Sequence, residues 1–417
     1  MNTCRLLIRS RGPWLTLDTG VDGPRRGPEM AELAVADDLA CAVEGDRIAA
    51  IGPADAMLAA WRADETLDWG HRLVMPGLVD AHTHPVFAGT REAEFELRNR
   101  GKSYVEIAQA GGGIRSSVRS LRAASEDRLV ELLGPRLDAF LALGTTTLEA
   151  KSGYGLSTES ELKSLRALDR AAKCHAIDVR PTFLGAHEVP DEWRHDREGF
   201  IRLLIDEMIP AVADSGLAEF CDVFCEDHVF SVDESRRILN AASQAGLKPR
   251  IHADEIGTTG GAELAAEVGA VSADHLGAIS EAGIHALRDS NTIPILLPGT
   301  SFFLNLAHKA PGRRMIDEGL PVALATDYNP GSCHTRSLFM IMTIACIHYG
   351  MTAAEAITAC TVNAAGSLGL ADDRARLAPG FRADLIGIDA PGAQYLPYHF
   401  GENLVARVVK DGRLVIS

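Results

Sequence analysis

The sequence is poor in several features that mark particular classes of protein. Only 8 of its 417 residues are cysteine, which is too sparse for a disulfide framework, so we expect free thiols and a reducing, cytoplasmic compartment. The longest apolar stretch, residues 338–347, is much too short to span a bilayer. Residues 1–20 lack the uninterrupted apolar segment of a secretory signal. We therefore expect neither a secreted scaffold nor a membrane protein.

Positive charge is also in deficit. The chain has 41 Lys and Arg against 57 Asp and Glu, a formal net charge of -16. Such a balance disfavours nucleic-acid and membrane partners, but it is compatible with a local basic pocket for a small anion. The content of 46% hydrophobic and 24% charged residues is typical of a folded globular protein.

Both ends of the chain have the pattern of short β-strands. Candidate strands lie at residues 5–8, 39–43, 47–51, 383–388 and 404–409. Asp411 and Gly412 then form a hairpin signal. Two β-rich ends around a different middle predict a small β-sandwich domain built from both termini, residues 1–72 and 379–417.

The middle of the chain alternates apolar runs with helical patterns. One helical start is marked by Thr158 and Glu161, which have the spacing of a capping box. Eight strand-like runs are present, at residues 73–80, 144–149, 179–184, 220–225, 248–251, 270–273, 293–297 and 322–326. This alternation predicts an α/β fold whose main part, residues 73–378, is a TIM-like (β/α)8 barrel.

Four polar side chains follow the ends of these predicted strands. His82 and His84 are two residues apart, so their imidazoles project to the same side and can bind one metal ion. His252 and Asp327 follow two other strands. An isolated H-x-H pair can arise by chance, but three imidazoles and one carboxylate suit Zn²⁺ or a similar divalent cation, with a position left for water. Since such a cation activates water at neutral pH, the set predicts a metal-dependent hydrolase.

Two further residues are candidates for proton transfer. Glu255 lies three residues after His252 and can act as a general acid and base. His275 follows Asp274 at another strand end and can orient the attacking water or polarise a carbonyl oxygen. The alternatives are a surface glutamate and a core histidine without a catalytic role.

A third group of polar residues predicts the side that binds the substrate. A guanidinium binds a carboxylate through two hydrogen bonds, and a glycine lets backbone donors approach a ligand closely. We therefore expect a small acidic ligand. The candidates are Arg91, Tyr154, His187, Asn329, Gly331 and Ser332.

Gly111, Gly112 and Gly113 are adjacent in the sequence and superficially suggest a phosphate-binding loop. No Gly-Lys-Ser/Thr follows them, so that interpretation is disfavoured. We expect a flexible lid at this position instead.

The motifs around these residues resemble, in order along the chain, those of the amidohydrolase superfamily and more closely those of the imidazolonepropionase family. The stretches that carry the resemblance are HTHPVFAG at residues 82–89 with Arg91, GTTTLEAKSGYG at 144–155, PTFLGAHEVP at 181–190, VFCE at 223–226, HADE at 252–255, SADHL at 272–276, PGTS at 298–301 and ATDYNPGSC at 325–333.

The resemblance implies hydrolytic opening of the lactam ring of 4-imidazolone-5-propanoate to N-formimidoyl-L-glutamate, a step of histidine catabolism. It implies one divalent ion, zinc or iron, bound by His82, His84, His252 and Asp327, and a homodimer. It also implies substrate or product contacts by Arg91, Tyr154, His187, Glu255, Asn329, Gly331 and Ser332.

Lys151 is a lysine at the end of a predicted barrel strand, and some superfamily members use a carboxylated lysine that bridges two metal ions. Their lysine belongs to the fourth barrel strand, whereas Lys151 follows the second predicted one. We therefore expect Lys151 to be unmodified and the site to hold a single ion.

Two other interpretations stay open at this point. A deaminase of a heterocyclic base shares the metal set and the glutamate after the third histidine, although Arg91 and Tyr154 have no clear use on a neutral base. A non-catalytic scaffold of the same fold typically lacks metal ligands, and here all four candidates are present.

Overall fold

The computed structural model describes residues 1–102, 106 and 112–417. Its strands form two sheets of eight strands each. The strands are β1 (Asn2–Leu15), β2 (Val35–Glu44), β3 (Arg47–Pro53), β4 (Trp61–Asp68), β5 (Leu73–Pro76), β6 (Leu78–Asp80), β7 (Thr145–Lys151), β8 (Asp178–Ala186), β9 (Phe220–Cys225), β10 (Lys248–Ala253), β11 (Ser272–His275), β12 (Ile293–Leu296), β13 (Ala323–Leu324), β14 (Leu385–Ile388), β15 (Val405–Lys410) and β16 (Arg413–Ile416).

Helices connect most of the strands from β6 to β13 and pack around them. The α-helices of the described residues are Ala54–Ala60, Glu92–Asn99, Ile114–Ala123, Glu126–Ala142, Thr158–Lys173, Arg197–Leu203, Ile209–Ser215, Val232–Gln244, Gly261–Glu267, Glu281–Arg288, Pro298–Phe303, Gly312–Asp317, Leu338–Tyr349, Ala353–Ala359, Val362–Gly366 and Tyr395–Tyr398. A π-helical turn, Leu204–Met208, and two 3₁₀ turns, Gly27–Ala31 and Asp191–Trp193, complete the set.

The barrel is formed by β6 to β13, which lie side by side in chain order and pair in parallel. Beyond the last strand, the backbone N–H of Asp327 donates to the carbonyl of His82 (3.0 Å), and His84 donates to Tyr328 (2.8 Å), which brings the two edges together. Every residue of β7 and β9 is buried, as expected for strands covered on both faces. The predicted α/β fold with a (β/α)8 barrel is confirmed.

The other sheet comes from both ends of the chain, as predicted. Its order is β16-β15-β14-β5-β1-β2-β3, and β4 also pairs with β1. Strand β1 changes register between Ser10 and Pro13, so its first part pairs with β4 and its end with β5. Side chains from strands of both chain ends, including Ile8 and Leu385, share one buried apolar cluster, so the two ends of the chain pack together.

One strand prediction was wrong in detail. Residues 73–80 were expected to form a single barrel strand, but the chain changes sheets at Gly77. Leu73–Pro76 pairs antiparallel with β14, whereas Leu78–Asp80 pairs with β7. Both pieces are fully buried, so hydrophobicity alone does not reveal the change. The division of the chain at residues 72 and 378 stays a prediction.

Three smaller expectations can be compared with the structure. All eight cysteines are free thiols. In the part of the chain that the structure describes, no helix has both the length and the hydropathy needed to cross a bilayer. Of the proposed glycine lid, Gly111 lies outside the described residues, while Gly113 directly precedes the helix Ile114–Ala123.

Candidate metal centre and active site

Three histidines meet at the carboxyl ends of the barrel strands. His82 and His84 follow β6, and His252 lies near the end of β10. The Nε2 atoms of His82 and His84 are 3.2 Å apart, and one nitrogen from each of the three rings lies within 4.8 Å of the others. All three side chains are buried. The structure therefore brings together the imidazoles that the sequence predicted as metal ligands.

Two carboxylates hold these imidazoles from behind. Nδ1 of His82 is 2.6 Å from Oδ2 of Asp274, and Nδ1 of His252 is 3.0 Å from Oδ1 of Asp222. When Nδ1 carries the hydrogen of these bonds, Nε2 has a free lone pair, as in metal-bound histidines. Within the described residues, the buried Nε2 of His252 has no hydrogen-bond partner. The donor set fits a divalent cation, and the group can hold one.

Asp327 completes the predicted set from the opposite edge of the barrel. Its Oδ1 atom lies 3.3 Å from Nε2 of His84 and 3.6 Å from Nε2 of His82. Its other oxygen accepts a hydrogen bond from the hydroxyl of Thr300. Thr300, which was not among the predicted site residues, thus orients the Asp327 side chain.

The backbone has positive φ angles at three of these strand ends. Asp254 has φ 49°, Asp327 has φ 53° and His275 has φ 77°, in the left-handed region that non-glycine residues rarely adopt. Each such residue costs on the order of 1–3 kcal/mol, which the surrounding structure must offset. Strain of this kind concentrates at functional sites, and here it includes a predicted metal ligand, Asp327, and a predicted catalytic histidine, His275.

Glu255 and His275 lie beside the three histidines. Nδ1 of His275 is 3.6 Å from Oε1 of Glu255, and the His275 ring centre is 5.5 Å from that of His82 and 5.2 Å from that of His252. Burial and the negative charge of Asp327 raise the pKa of Glu255 to about 8. Burial lowers the pKa of His275 to about 3. Burial thus disfavours the charged form of both side chains.

Tyr154 and His187 form an aromatic wall on another side of the histidines. His187 stacks on His84 with ring centres 5.3 Å apart, and Tyr154 lies 5.3 Å from His187. The Nδ1–H of His187 donates to the carbonyl of Gly153 (2.9 Å), which fixes the orientation of the ring. The wall can pack against a flat heterocyclic ligand.

Arg91 reaches the loop after the last barrel strand. Its guanidinium donates through Nε and Nη2 to Glu94, at 3.0 and 2.9 Å. A Cβ atom on Gly331 would lie 2.1 Å from Nη1 of Arg91. Gly331 therefore makes room for the guanidinium, which is a different reason for a glycine here than the predicted approach of backbone donors to a ligand.

Asn329 organises that same loop. Its Nδ2 donates to the carbonyl of Asp327 and to Oγ of Ser332, both at 2.7 Å. Its Oδ1 accepts from the backbone N–H of Gly331 (2.8 Å) and of Ser332 (2.7 Å). These bonds occupy the amide within the loop, so direct substrate contact by Asn329 or Ser332 stays a prediction.

Comparison with known proteins identifies the family. Residues 73–415 match the model of the amidohydrolase family. An imidazolonepropionase of Geobacillus kaustophilus is 48% identical over 99% of this chain and 98% of its own length. One from Alkaliphilus metalliredigens is 46% identical, also over 99% and 98%. The chain belongs to the imidazolonepropionase family.

Solved structures of other amidohydrolases share the fold of this imidazolonepropionase family member. An adenosine deaminase from Xanthomonas campestris with bound zinc has a TM-score of 0.71 and 18% identity, over 100% of this chain and 93% of its own. The guanine deaminase of E. coli has a TM-score of 0.74 and 14% identity, over 99% of both chains. At these identities the likeness concerns the fold alone.

Several residues that shape the site were missed from the sequence. Asp222 and Asp274 orient two histidines, Thr300 holds Asp327, and Glu94 holds Arg91. A signal was available for Asp222, because a single carboxylate in the otherwise apolar strand Phe220–Cys225 needs a polar partner inside the barrel. That partner could not be identified without the fold.

Proposed function

We propose that this chain hydrolyses the lactam ring of 4-imidazolone-5-propanoate to give N-formimidoyl-L-glutamate, using one divalent ion, zinc or iron. The observation that carries the proposal is the meeting of three buried imidazoles with Asp327 and Glu255 in a chain 48% identical to an imidazolonepropionase over 99% of its length. Metal-assisted hydrolysis is the reaction that this donor set supports best.

His82, His84, His252 and Asp327 would hold the ion. A divalent ion held there would supply Lewis acidity and lower the pKa of a water molecule. Zinc and iron both accept this set of nitrogen and oxygen ligands, so the donor chemistry does not choose between them.

Glu255 and His275 would carry the proton chemistry. Ring opening needs a base for the attacking water and an acid for the departing ring nitrogen. Glu255, a buried carboxyl whose pKa is raised by burial, can take the proton of the attacking water and pass it to the departing ring nitrogen, so that one group serves first as base and then as acid. His275, whose pKa is lowered by burial, can hydrogen bond to the lactam oxygen or to the attacking water without bringing a full charge into the site.

The remaining candidates would position the substrate. Arg91 offers a guanidinium for the propionate tail, and Tyr154 and His187 offer an aromatic wall for the imidazolone ring. Gly331 and the loop around Asn329 and Ser332 would form the opposite side of the pocket. We also propose that the protein works in the cytoplasm, as its sparse cysteines favour, and that it is a homodimer, as the resemblance to the family implies.

The test is to follow imidazolone consumption by ultraviolet absorbance with enzyme loaded with zinc or with iron. We expect turnover that is lost on treatment with a chelator and restored by about one equivalent of metal per chain. Adenine and guanine serve as controls, since ammonia release from a purine without imidazolone turnover would favour a deaminase. Absence of metal binding together with absence of turnover would favour a scaffold.

A further inference from the structure

We propose that Lys151 is a positioning residue for the metal centre, because its buried ammonium fixes the carboxylates that orient the three metal-binding histidines. The inference rests on the proposed function, since it concerns the ligands of the same ion. It assigns a role to a residue that neither binds the ion nor reaches the substrate.

The ammonium of Lys151 lies in a buried cluster of carboxylates. Its Nζ atom is 2.8 Å from Oε1 of Glu149, 2.8 Å from Oδ2 of Asp222 and 4.0 Å from Oδ2 of Asp274. All four side chains have 0% exposure, so water does not screen these charges. Lys151 is therefore held in two close ion pairs, with Glu149 and Asp222.

Two of these carboxylates hold a histidine directly. Asp222 binds Lys151 through Oδ2 and His252 Nδ1 through Oδ1. Asp274 binds His82 Nδ1 through Oδ2, the same oxygen that lies 4.0 Å from Lys151. The ammonium is therefore separated from each of these two imidazoles by a single carboxylate.

The third carboxylate, Glu149, holds the backbone between His82 and His84. Oε1 of Glu149 pairs with Lys151, and Oε2 accepts the backbone N–H of Thr83 at 3.0 Å. The hydroxyl of Thr83 donates back to the carbonyl of Glu149. Thr83 lies between His82 and His84, so this carboxylate fixes the backbone that carries both rings.

The charge balance explains why the ammonium is needed. Arg250, 3.5 Å from Asp274, is a second buried cation in the cluster. Two cations, Lys151 and Arg250, against three carboxylates, Glu149, Asp222 and Asp274, leave a charge of -1, and removal of Lys151 makes it -2. Buried carboxylates without a counter-charge separate or rearrange, and the histidines they hold would move with them.

The chain offers a matched control at the other end of the barrel. Nζ of Lys410 lies 3.0 Å from Asp178, 3.2 Å from Asp384 and 2.8 Å from Asp411, and the lysine side chain is 1% exposed. Asp178 begins the strand β8, whereas the metal centre lies where the barrel strands end. Substituting Lys410 removes a similar buried ammonium without touching the site.

The experiment compares Lys151→Met and Lys410→Met with wild type. Zinc affinity of the metal-free proteins is measured by competition with a chromogenic chelator, the cobalt(II) absorption spectrum reports ligand geometry, and thermal unfolding reports stability. We expect Lys151→Met to raise the zinc dissociation constant by about 10–100-fold and to change the cobalt spectrum. We expect Lys410→Met to stay within about threefold of wild type despite a comparable loss of stability.

Two results with the variants would overturn the inference. One is a Lys151→Met protein that binds zinc within about threefold of wild type; the other is a Lys410→Met protein that loses as much affinity, which would reveal a general effect of stability. If Lys151→Met does not fold, Lys151→Gln and its control Lys410→Gln replace each buried ammonium by a neutral polar group, and only Lys151→Gln should weaken zinc binding.

The outcome for wild type separates the inference from the proposed function. Wild type that binds zinc but does not consume the imidazolone would contradict the proposed reaction and leave the affinity comparison valid. Wild type that binds no zinc would overturn both.

Discussion

Glu255 and His275 show how one environment acts in opposite directions on two neighbouring side chains. Burial disfavours charge, so it raises the pKa of the acid to about 8 and lowers the pKa of the imidazole to about 3. Burial thus disfavours the charged form of both groups. A buried glutamate with a raised pKa is suited to taking a proton from water and passing it to a leaving nitrogen, because its pKa lies closer to neutral pH than that of an exposed glutamate.

Replacing Glu255 tests this assignment. Glu255→Gln preserves size and can still hydrogen bond, but it cannot release or take up a proton. We expect kcat to fall by about 100-fold to 10,000-fold while the metal content stays near one ion per chain. Steady-state kinetics on imidazolone and metal analysis of the same sample measure both. A kcat close to that of wild type would mean that another group moves the proton.

The strands β5 and β6 show how a single position can divide one apolar run between two sheets. Gly77 separates them, and its backbone N–H donates to the carbonyl of Asp384 in the terminal part of the chain (2.9 Å). A Cβ atom at this position would lie 2.3 Å from Oγ1 and 2.4 Å from Cγ2 of Thr146. The crossing between the sheets therefore depends on the absence of a side chain.

Gly77→Ala should accordingly destabilise the fold. Inserting one methyl group into this contact is expected to lower the free energy of unfolding by about 1–3 kcal/mol, because Thr146 lies in a fully buried strand and has little room to move. Chemical denaturation measures the change. Gly134→Ala is the control, since among the described residues no atom beyond its chain neighbours and the nearby helix backbone lies within 4 Å of the added carbon. The helix preference of alanine and the crowding by the following Pro135 oppose each other, so we expect a change of less than about 1 kcal/mol. Equal stability of Gly77→Ala and wild type would contradict the packing argument.

The terminal sheet and the segment that follows the barrel are joined by a cluster of ion pairs. Asp373 lies 2.6 Å from Arg47 of β3, 2.8 Å from Arg374 and 3.4 Å from Arg382. Arg374 also pairs with Asp178 at the start of the barrel strand β8. Burial acts to raise the pKa of Asp373, but Arg374 and Arg47 more than offset it, so that the pKa is lowered.

This lowered pKa predicts how the stability of the whole molecule depends on pH. A carboxylate whose pKa is lower in the folded than in the unfolded state stabilises the fold above its unfolded pKa, about 3.9, and the contribution disappears as pH falls through the folded value. Asp373→Asn should therefore lose about 0.5–1 kcal/mol at pH 7, a modest amount because the carboxylate is partly exposed.

Thermal unfolding of wild type and Asp373→Asn between about pH 3 and pH 8 measures this dependence. The difference between the two proteins should be constant above about pH 5 and should vanish at the acidic end. A difference that persists unchanged at the lowest pH would show that the aspartate acts through packing rather than charge.

How much of the fold could be predicted from the sequence depends on the kind of residue pattern that marks each element. All eight barrel strands were located, because buried parallel strands appear as apolar runs and the helices between them have their own periodicity. Strand β4 was missed, since Trp61–Asp68 is polar and largely exposed. The break at Gly77 was missed because both flanking segments are equally apolar.

The sequence by itself determined the fold class and the residue types of the candidate centre, because strand ends and their histidines are local features of the chain. The tertiary structure decided which charges support them. Lys151, Asp222 and Asp274 belong to three different strands, and only barrel closure brings their side chains into one dry space. Local patterns carry no information on such contacts, since these depend on how distant strands are arranged around a common axis.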